Sequence, residues 1–253
     1  MTAVALSDVA VVLAAHGDRG GRSGGARNAT LLAHASTLAA TGAFRCVGAG
    51  TLKSEELTLE DALRQAHASG AARIAVYPMF MADGYFTSKV LPERIAAAGL
   101  AQFCTILPPL GLDPLMPSLI MQHAVAAAQT VALNPAHTRL LLVGHGSKIS
   151  RASQRSTERL ACKLRRLQRF ACVETAYLEE SPFLDDQLKG VELTTLVSGF
   201  FTSDGLHASE DVPAAIAQAG ASAHYAGPIG NRPEIAQIIA AAVRTAVHGD
   251  GAA

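Results

Sequence analysis

Two histidines and a glutamate in the second half of this chain carry donor chemistry: His145 in LLLVGHGS, Glu179 in ETAYLEESP and His207 in SGFFTSDGLHASEDVP. Imidazole nitrogen and carboxylate oxygen together suit a borderline divalent metal such as iron, cobalt, nickel or zinc. The same groups move protons near neutral pH. Taken singly, each has a plainer reading. A histidine after a strand more often orders its own loop, an HG dipeptide has little specificity, and Glu179 alone reads as a solvated carboxylate at a helix entry, with Glu180 adjacent to it. What singles the three out is that each follows a separate short apolar run.

Those runs read as strands. β-Branched stretches near 9–15, 44–50, 73–79 and 102–107, then near 139–144, 172–178, 193–200 and 222–226, alternate with Ala-rich stretches of helical pattern. The helices fall near 26–41, 57–69, 92–98 and 115–131, then near 150–168, 183–190, 211–219 and 233–247. Such alternation predicts mainly parallel four-stranded sheets flanked by helices, a doubly wound α/β fold. Ligands of such sheets bind beyond the carboxyl ends of the strands, where His145, Glu179 and His207 fall. Pro92 and Pro213 sit in first helical turns, where a missing N–H costs little, and Ser209 is placed to cap the helix that Pro213 enters.

The chain also says nearly the same thing twice. AVVLAAHGD, ending at Asp18, matches RLLLVGHGS, ending at Ser147. FMADGYFTSKVLP from Phe80 matches FTSDGLHASEDVP from Phe201, and LPPLGLDP, ending at Pro114, matches AGPIGNRP, ending at Pro233. Three blocks in one order imply two homologous halves. The Asn-Pro turn in LNPAHTR places the join, giving lobes 1–134 and 135–253. The halves disagree at the chemistry. The first keeps His16 but has Lys53 where the second has Glu179, and Phe86 where the second has His207. A lysine opposes a neighbouring cation and a phenylalanine offers no lone pair, so a complete metal site is expected in the second half alone.

Basic residues follow both HG motifs: Arg19, Arg22 and Arg27 in the first half, Lys148, Arg151 and Arg155 in the second. They read either as solvated faces or as cationic flanks that hold a polycarboxylate by charge-assisted hydrogen bonds. Ser147 lies within that flank, and Gly144, Gly146 and Gly205 leave room for tight turns or a bulky ligand. Tyr85, Phe86, Phe200, Phe201 and Leu206 either wall a flat ring or close a core. The other histidines, His34, His67, His123, His137, His224 and His248, read as structural. A hydrolase built on Ser147 or Ser203 is disfavoured, because no GxSxG elbow is present.

Composition narrows the class. The chain has 253 residues, 49% of them hydrophobic and 17% charged, with zero formal net charge. That argues for a compact globular protein and against a general nucleic-acid or membrane-surface binder. Cys46, Cys104, Cys162 and Cys172 form no CxxC pair and read as small buried hydrophobes. No apolar run is long enough to span a bilayer, and the apolar stretch at 9–15 lacks a basic start, so a cytoplasmic protein is expected.

The combination LLLVGHGS, AYLEESP, SGFFTSDGLHASEDVP and GPIG resembles the sirohydrochlorin chelatases of the CbiX and SirB type, class II tetrapyrrole chelatases. The resemblance covers essentially the whole chain, as in the long, tandemly duplicated members. It implies a chelatase-like fold of two duplicated lobes with a cleft between them. It implies insertion of Co²⁺ or Fe²⁺ into sirohydrochlorin, in cobalamin or siroheme biosynthesis, with no ATP and no cofactor beyond the substrate metal. Carried over residue by residue, the paired histidines match His145 and His207 and the acidic residue matches Glu179. Arg19, Ser147, Lys148, Arg151, Arg155 and Gly205 are then expected to flank the tetrapyrrole. The remaining alternatives are a tetrapyrrole or metal carrier without turnover, and a chelatase for nickel or another porphyrinoid. A monomer or weak dimer is expected, because duplication makes an internal pseudo-dimer.

Overall fold

The computed structural model describes residues 5–17, 28–220 and 222–249. In chain order the elements are β1 (Val9–Ala15), α1 (Ala29–Ala40), β2 (Cys46–Thr51), α2 (Leu59–Ala68), β3 (Arg73–Pro78), α3 (Leu91–Ala97), β4 (Cys104–Ile106) and α4 (Met116–Thr130). The series repeats as β5 (Arg139–Gly144), α5 (Ala152–Arg166), β6 (Cys172–Tyr177), α6 (Leu184–Leu188), β7 (Thr195–Gly199), α7 (Val212–Ala219), β8 (Ala223–Pro228) and α8 (Ile235–Gly249).

The strands form two four-stranded sheets in the orders β2-β1-β3-β4 and β6-β5-β7-β8, with every pairing parallel. The central strands β1 and β5 are buried nearly throughout, which is why VAVVLAA and RLLLVG read as continuous apolar runs rather than alternating ones. In β1, Ala10, Val12 and Ala14 pack with Leu59 and Leu63 of α2 and Leu91 and Ile95 of α3. In β5, Leu141 and Val143 pack with Leu184 and Leu188 of α6 and Val212 of α7. Arg139 opens β5 almost fully buried, and its guanidinium donates to Thr195 Oγ1 (3.0 Å), Glu174 Oε2 (2.8 Å) and the Gln187 carbonyl (2.7 Å).

The compact units are not the two repeat halves. One comprises residues 1–113 with 233–253, the other residues 114–232. Relative to the expected lobes 1–134 and 135–253, each unit has given up the last helix of its own repeat. Helix α4 packs on α5, β7 and β8, and α8 packs on α1. The boundaries fall before Pro114 and Pro233, the last residues of the third repeated block. No Asn-Pro join inside the sequence marks such an exchange, because a helix carries the same apolar face whichever sheet receives it.

That third block also braces the second. Gly111 donates its N–H to the Phe80 carbonyl at 3.0 Å, and Gly230 donates to the Phe201 carbonyl at 2.9 Å. A Cβ on Gly111 would lie 2.1 Å from Met81 O, and one on Gly230 would lie 2.3 Å from the Thr202 carbonyl group, so only glycine permits the approach.

Two short π-helical turns went unread in the sequence, Phe86–Val90 before α3 and His207–Asp211 before α7. Ser209 therefore does not cap α7: it lies inside the turn, and its hydroxyl donates back to the Gly205 carbonyl at 3.3 Å. Cys46, Cys104 and Cys172 each begin a strand as half-buried free thiols, burial pushing Cys104 up to about 11, whereas Cys162 is exposed rather than buried. No helix among the described residues is long and apolar enough to cross a membrane.

Candidate metal-presenting site

The order β6-β5-β7-β8 fixes where a site can form. The chain leaves β5 towards β6 on one side, and β7 flanks β5 on the other, so the loops after β5 and β7 part and leave a crevice beyond their carboxyl ends. His145 immediately follows β5 at Gly144. Gly146, at φ +77°, turns the chain there, and a Cβ at this position would lie 3.0 Å from both Tyr177 Cβ and Glu180 Cγ. Glu179 follows β6 and is tied to the first loop, because the N–H groups of Leu178 and Glu179 donate to the His145 carbonyl at 3.2 and 3.0 Å. His207 opens the π-helical turn after β7, which closes with the Val212 N–H donating to the His207 carbonyl. Such wide turns recur at functional sites, where they re-aim a side chain.

Three separate strand ends thus bring His145, Glu179 and His207 together, with one ligand atom of each within 4.8 Å of the others. The imidazoles stand edge to face, centroids 4.4 Å apart at 88°. Their Nε2 atoms are 3.0 Å apart. Both Nδ1 atoms face acceptors that cannot donate: His145 Nδ1 lies 2.9 Å from the Gly146 carbonyl, and His207 Nδ1 lies 2.6 Å from Asp211 Oδ2. In the tautomer that places the hydrogen on Nδ1 to meet these acceptors, each ring turns an Nε2 lone pair towards the other. Two facing lone pairs repel unless a proton or a cation stands between them. Two nitrogens about 2.1 Å from one ion and roughly at a right angle would be separated by about 3.0 Å, so the pair fits a divalent metal. Glu179 Oε2 lies 3.8 Å from His145 Nδ1, and the side chains of His145, Glu179 and His207 are 42%, 44% and 42% exposed, open to a substrate.

Glu180 takes a different role. Its Oε1 accepts the Ser147 N–H at 3.0 Å and braces the loop after His145. Ser147 is likewise a loop residue, its Oγ accepting from the N–H groups of Ile149 and Ser150 at 3.2 Å. Lys148, Arg151 and Arg155 are exposed and make no ion pair among the described residues. A Cβ at Gly205 would meet only Ser203 Oγ, at 4.0 Å, and its carbonyl accepts from the Ala208 and Ser209 N–H groups. Arg19, Arg22 and Arg27 lie outside the described residues. Phe200 and Phe201 are buried and close the core, whereas Leu206 is 44% exposed beside His207. Behind the π-helical turn, Tyr177, Phe183, Asp185, Asp211 and Gln218 line a cavity of about 290 Å³. Burial, with Glu158 nearby, pushes the Tyr177 hydroxyl up to about 12, so it stays neutral.

The first unit forms an equivalent π-helical turn and keeps His16, but lacks the other two donors. Phe86 occupies the His207 position of an equivalent π-helical turn and meets His16 edge to face. Lys53 Nζ lies 5.6 Å from the Phe86 ring centroid. The residue that sequence reasoning passed over is Asp211. Its spacing of four from His207 was the available signal, since residues so spaced meet on a helical surface.

The CbiX family model matches residues 10–127 and again residues 139–246. The chain belongs to the CbiX family. A CbiX from denitrifying bacteria, described as the terminal enzyme for biosynthesis of siroheme, is 31% identical, with a TM-score of 0.75 over 93% of this chain and 98% of that one. A probable sirohydrochlorin cobaltochelatase of Halobacterium salinarum is 25% identical over 203 residues, 71% of this chain and 68% of its own length. SirB from Bacillus subtilis with Fe³⁺ shares the fold, with a TM-score of 0.80 at 18% identity over 96% of this chain and 98% of that one. The two all-parallel sheets seen here are thus a CbiX-family architecture.

Proposed function

We propose that this CbiX-family chain is a sirohydrochlorin chelatase that inserts Co²⁺ or Fe²⁺ into the macrocycle in cobalamin or siroheme biosynthesis. The observation that carries the reading is the pair of Nε2 atoms at 3.0 Å, each freed for a cation by an acceptor on its own Nδ1. His145 and His207 present the substrate metal, and Glu179 completes the donor set. The exposed cations Lys148, Arg151 and Arg155 hold carboxylates of the tetrapyrrole, and Ser147 and Gly205 shape the loops beside it.

The reaction is an exchange. The divalent ion leaves two imidazole nitrogens and a carboxylate and forms bonds to the macrocycle nitrogens. Two pyrrole N–H bonds break, and the two protons pass through the vacated imidazoles and Glu179 to solvent. Charge balances without a nucleotide, an oxidant or a cofactor beyond the substrate metal. Neutral imidazole suits both halves of the exchange, since one lone pair binds the metal first and accepts the proton next.

The test is anaerobic absorbance of the protein with sirohydrochlorin and either Co²⁺ or Fe²⁺, beside a His145→Ala/His207→Ala variant. Conversion above the uncatalysed rate by the unaltered protein, lost in the variant, is the expected result, and the faster metal names the pathway. Binding of the tetrapyrrole with no conversion by either metal would replace the reading with a carrier.

A further inference from the structure

Metal-presenting imidazoles need more than position: the correct nitrogen must carry the lone pair. For His145 that choice is made by a backbone carbonyl, Gly146 O, which any sequence would supply. For His207 it is made by a side chain. Asp211 Oδ2 lies 2.6 Å from His207 Nδ1, one π-helical turn further along.

The duplication supplies the control. The first unit forms the same π-helical turn over Phe86–Val90, closed by the Leu91 N–H donating to the Phe86 carbonyl, just as Val212 closes on His207. In that copy the imidazole position holds Phe86 and the carboxylate position holds Val90. The turn therefore needs neither the histidine nor the aspartate. Where the imidazole is gone, the carboxylate is gone with it, and an apolar residue fills its place. Asp211 is also exposed and makes no ion pair with a cation among the described residues, so holding the fold is not its task.

We propose that Asp211 is a positioning residue of the metal-presenting site: by accepting the His207 Nδ1–H it fixes the ring and the tautomer that turn the Nε2 lone pair towards His145. The inference rests on the chelatase reading only in taking that pair as the metal-presenting one. Carboxylates behind metal-binding histidines do this elsewhere, and their loss lowers metal affinity about 10–100-fold. Asp185 shares the cavity with Asp211 but makes no bond to either imidazole, so it is expected to be dispensable.

The test uses the full chain and Co²⁺ alone. Asp211→Val installs the residue of the first unit; Asp211→Asn keeps a neutral acceptor; Asp185→Asn is the control in the same cavity. The expected result is that D211V weakens Co²⁺ binding about 10–100-fold at an unchanged unfolding midpoint, while D211N and D185N stay within a factor of a few of the unaltered protein. A second readout needs no metal. In ¹⁵N-histidine-labelled protein in mildly alkaline buffer, with His207 identified by loss of its signals in H207A, the imidazole shifts should report the Nδ1–H tautomer in the unaltered protein and D211N. In D211V they should report a mixture. Equal Co²⁺ affinity in D211V and the unaltered protein, or equal weakness in D211N and D211V, overturns the proposal. If the unaltered protein binds no Co²⁺, the chelatase reading fails, and the tautomer measurement alone decides the role of Asp211. If D211V does not fold, an unchanged tautomer in a folded Asp211→Ala variant overturns it and a mixed tautomer supports it.

Discussion

Phe86 stands edge to face against His16, ring centroids 4.7 Å apart at 83°, in the arrangement that His207 takes against His145 at 4.4 Å and 88°. The ring pair keeps nearly the same separation and crossing angle in both units although one ring differs in chemistry. Where the second unit holds a carboxylate, the first places Lys53 over the Phe86 ring in a cation–π arrangement. The two units differ at these donor positions while forming the same π-helical turn.

It follows that the first unit can be given a site by restoring donors. Phe86→His alone is expected to bind no second ion, because the Lys53 ammonium remains beside it. Lys53→Glu, Phe86→His and Val90→Asp together are expected to raise the Co²⁺ stoichiometry from one to two per chain. Equilibrium dialysis with Co²⁺ checks both, and a stoichiometry unchanged in the folded triple variant would show that the first scaffold differs in more than its side chains.

The two adjacent glutamates separate by role. Glu179 faces the imidazole pair, whereas Glu180 accepts the Ser147 N–H. Glu179→Gln is expected to lower Co²⁺ affinity and chelation about tenfold or more, because a neutral amide lacks the carboxylate's charge and binds a divalent cation more weakly. Glu180→Gln retains a carbonyl acceptor and is expected to stay near the unaltered protein, while Glu180→Ala loosens the loop at a cost of about 1 kcal/mol. Parallel Co²⁺ titrations and thermal unfolding distinguish the three.

Gly230→Ala is expected to act at a distance. Its Cβ would lie 2.3 Å from the Thr202 carbonyl group, ahead of the turn that bears His207. Backbone must move to admit it, at a cost of about 1–3 kcal/mol. Chelation should fall more than stability accounts for, since the displaced segment aims His207. Gly220→Ala, at φ +57° with nothing near its Cβ, is the comparison: it should lower the unfolding midpoint without touching chelation.

One ion pair makes the first unit's stability depend on pH. Arg94 grips Glu60 through two hydrogen bonds, Nη2 to Oε2 at 2.6 Å and Nε to Oε1, and also donates to the Leu52 carbonyl at 3.1 Å. The hydrogen bond to Arg94, opposed by partial burial, holds the Glu60 carboxyl below its ordinary 4.5. A carboxyl lowered in the folded state contributes stability above its ordinary value and loses it as pH falls through the lowered one. With the side chains 20% and 35% exposed, solvent screening keeps the contribution near ~1 kcal/mol. Glu60→Gln should therefore unfold more readily at neutral pH, with the difference closing as pH falls from the ordinary 4.5 through the lowered value. Urea titrations across that range check it.

Much of this was legible in the chain. The apolar runs of β1 and β5, buried on both faces, announced parallel sheets, and the HG motifs fell at the strand ends where such sheets bind ligands. The Phe86 and Lys53 substitutions already marked the first half as lacking donors. Three features were not legible, each for a physical reason. The exchange of α4 and α8 leaves no local trace, because either sheet satisfies the same apolar face. The π-helical turns differ from α-helix by one inserted residue, which hydrophobic spacing over so short a segment does not register, and so Ser209 was misread as a cap. Asp211 does not stand out in the local sequence; only the π-helical turn places it 2.6 Å from His207.

The most direct test of the account is anomalous diffraction at the cobalt edge from crystals of the protein loaded with Co²⁺. The account predicts one strong peak per chain, about 2.1 Å from the Nε2 atoms of both His145 and His207, with Glu179 turned towards it and no peak at His16. A peak at His16, or a metal held away from the two imidazoles, would contradict it.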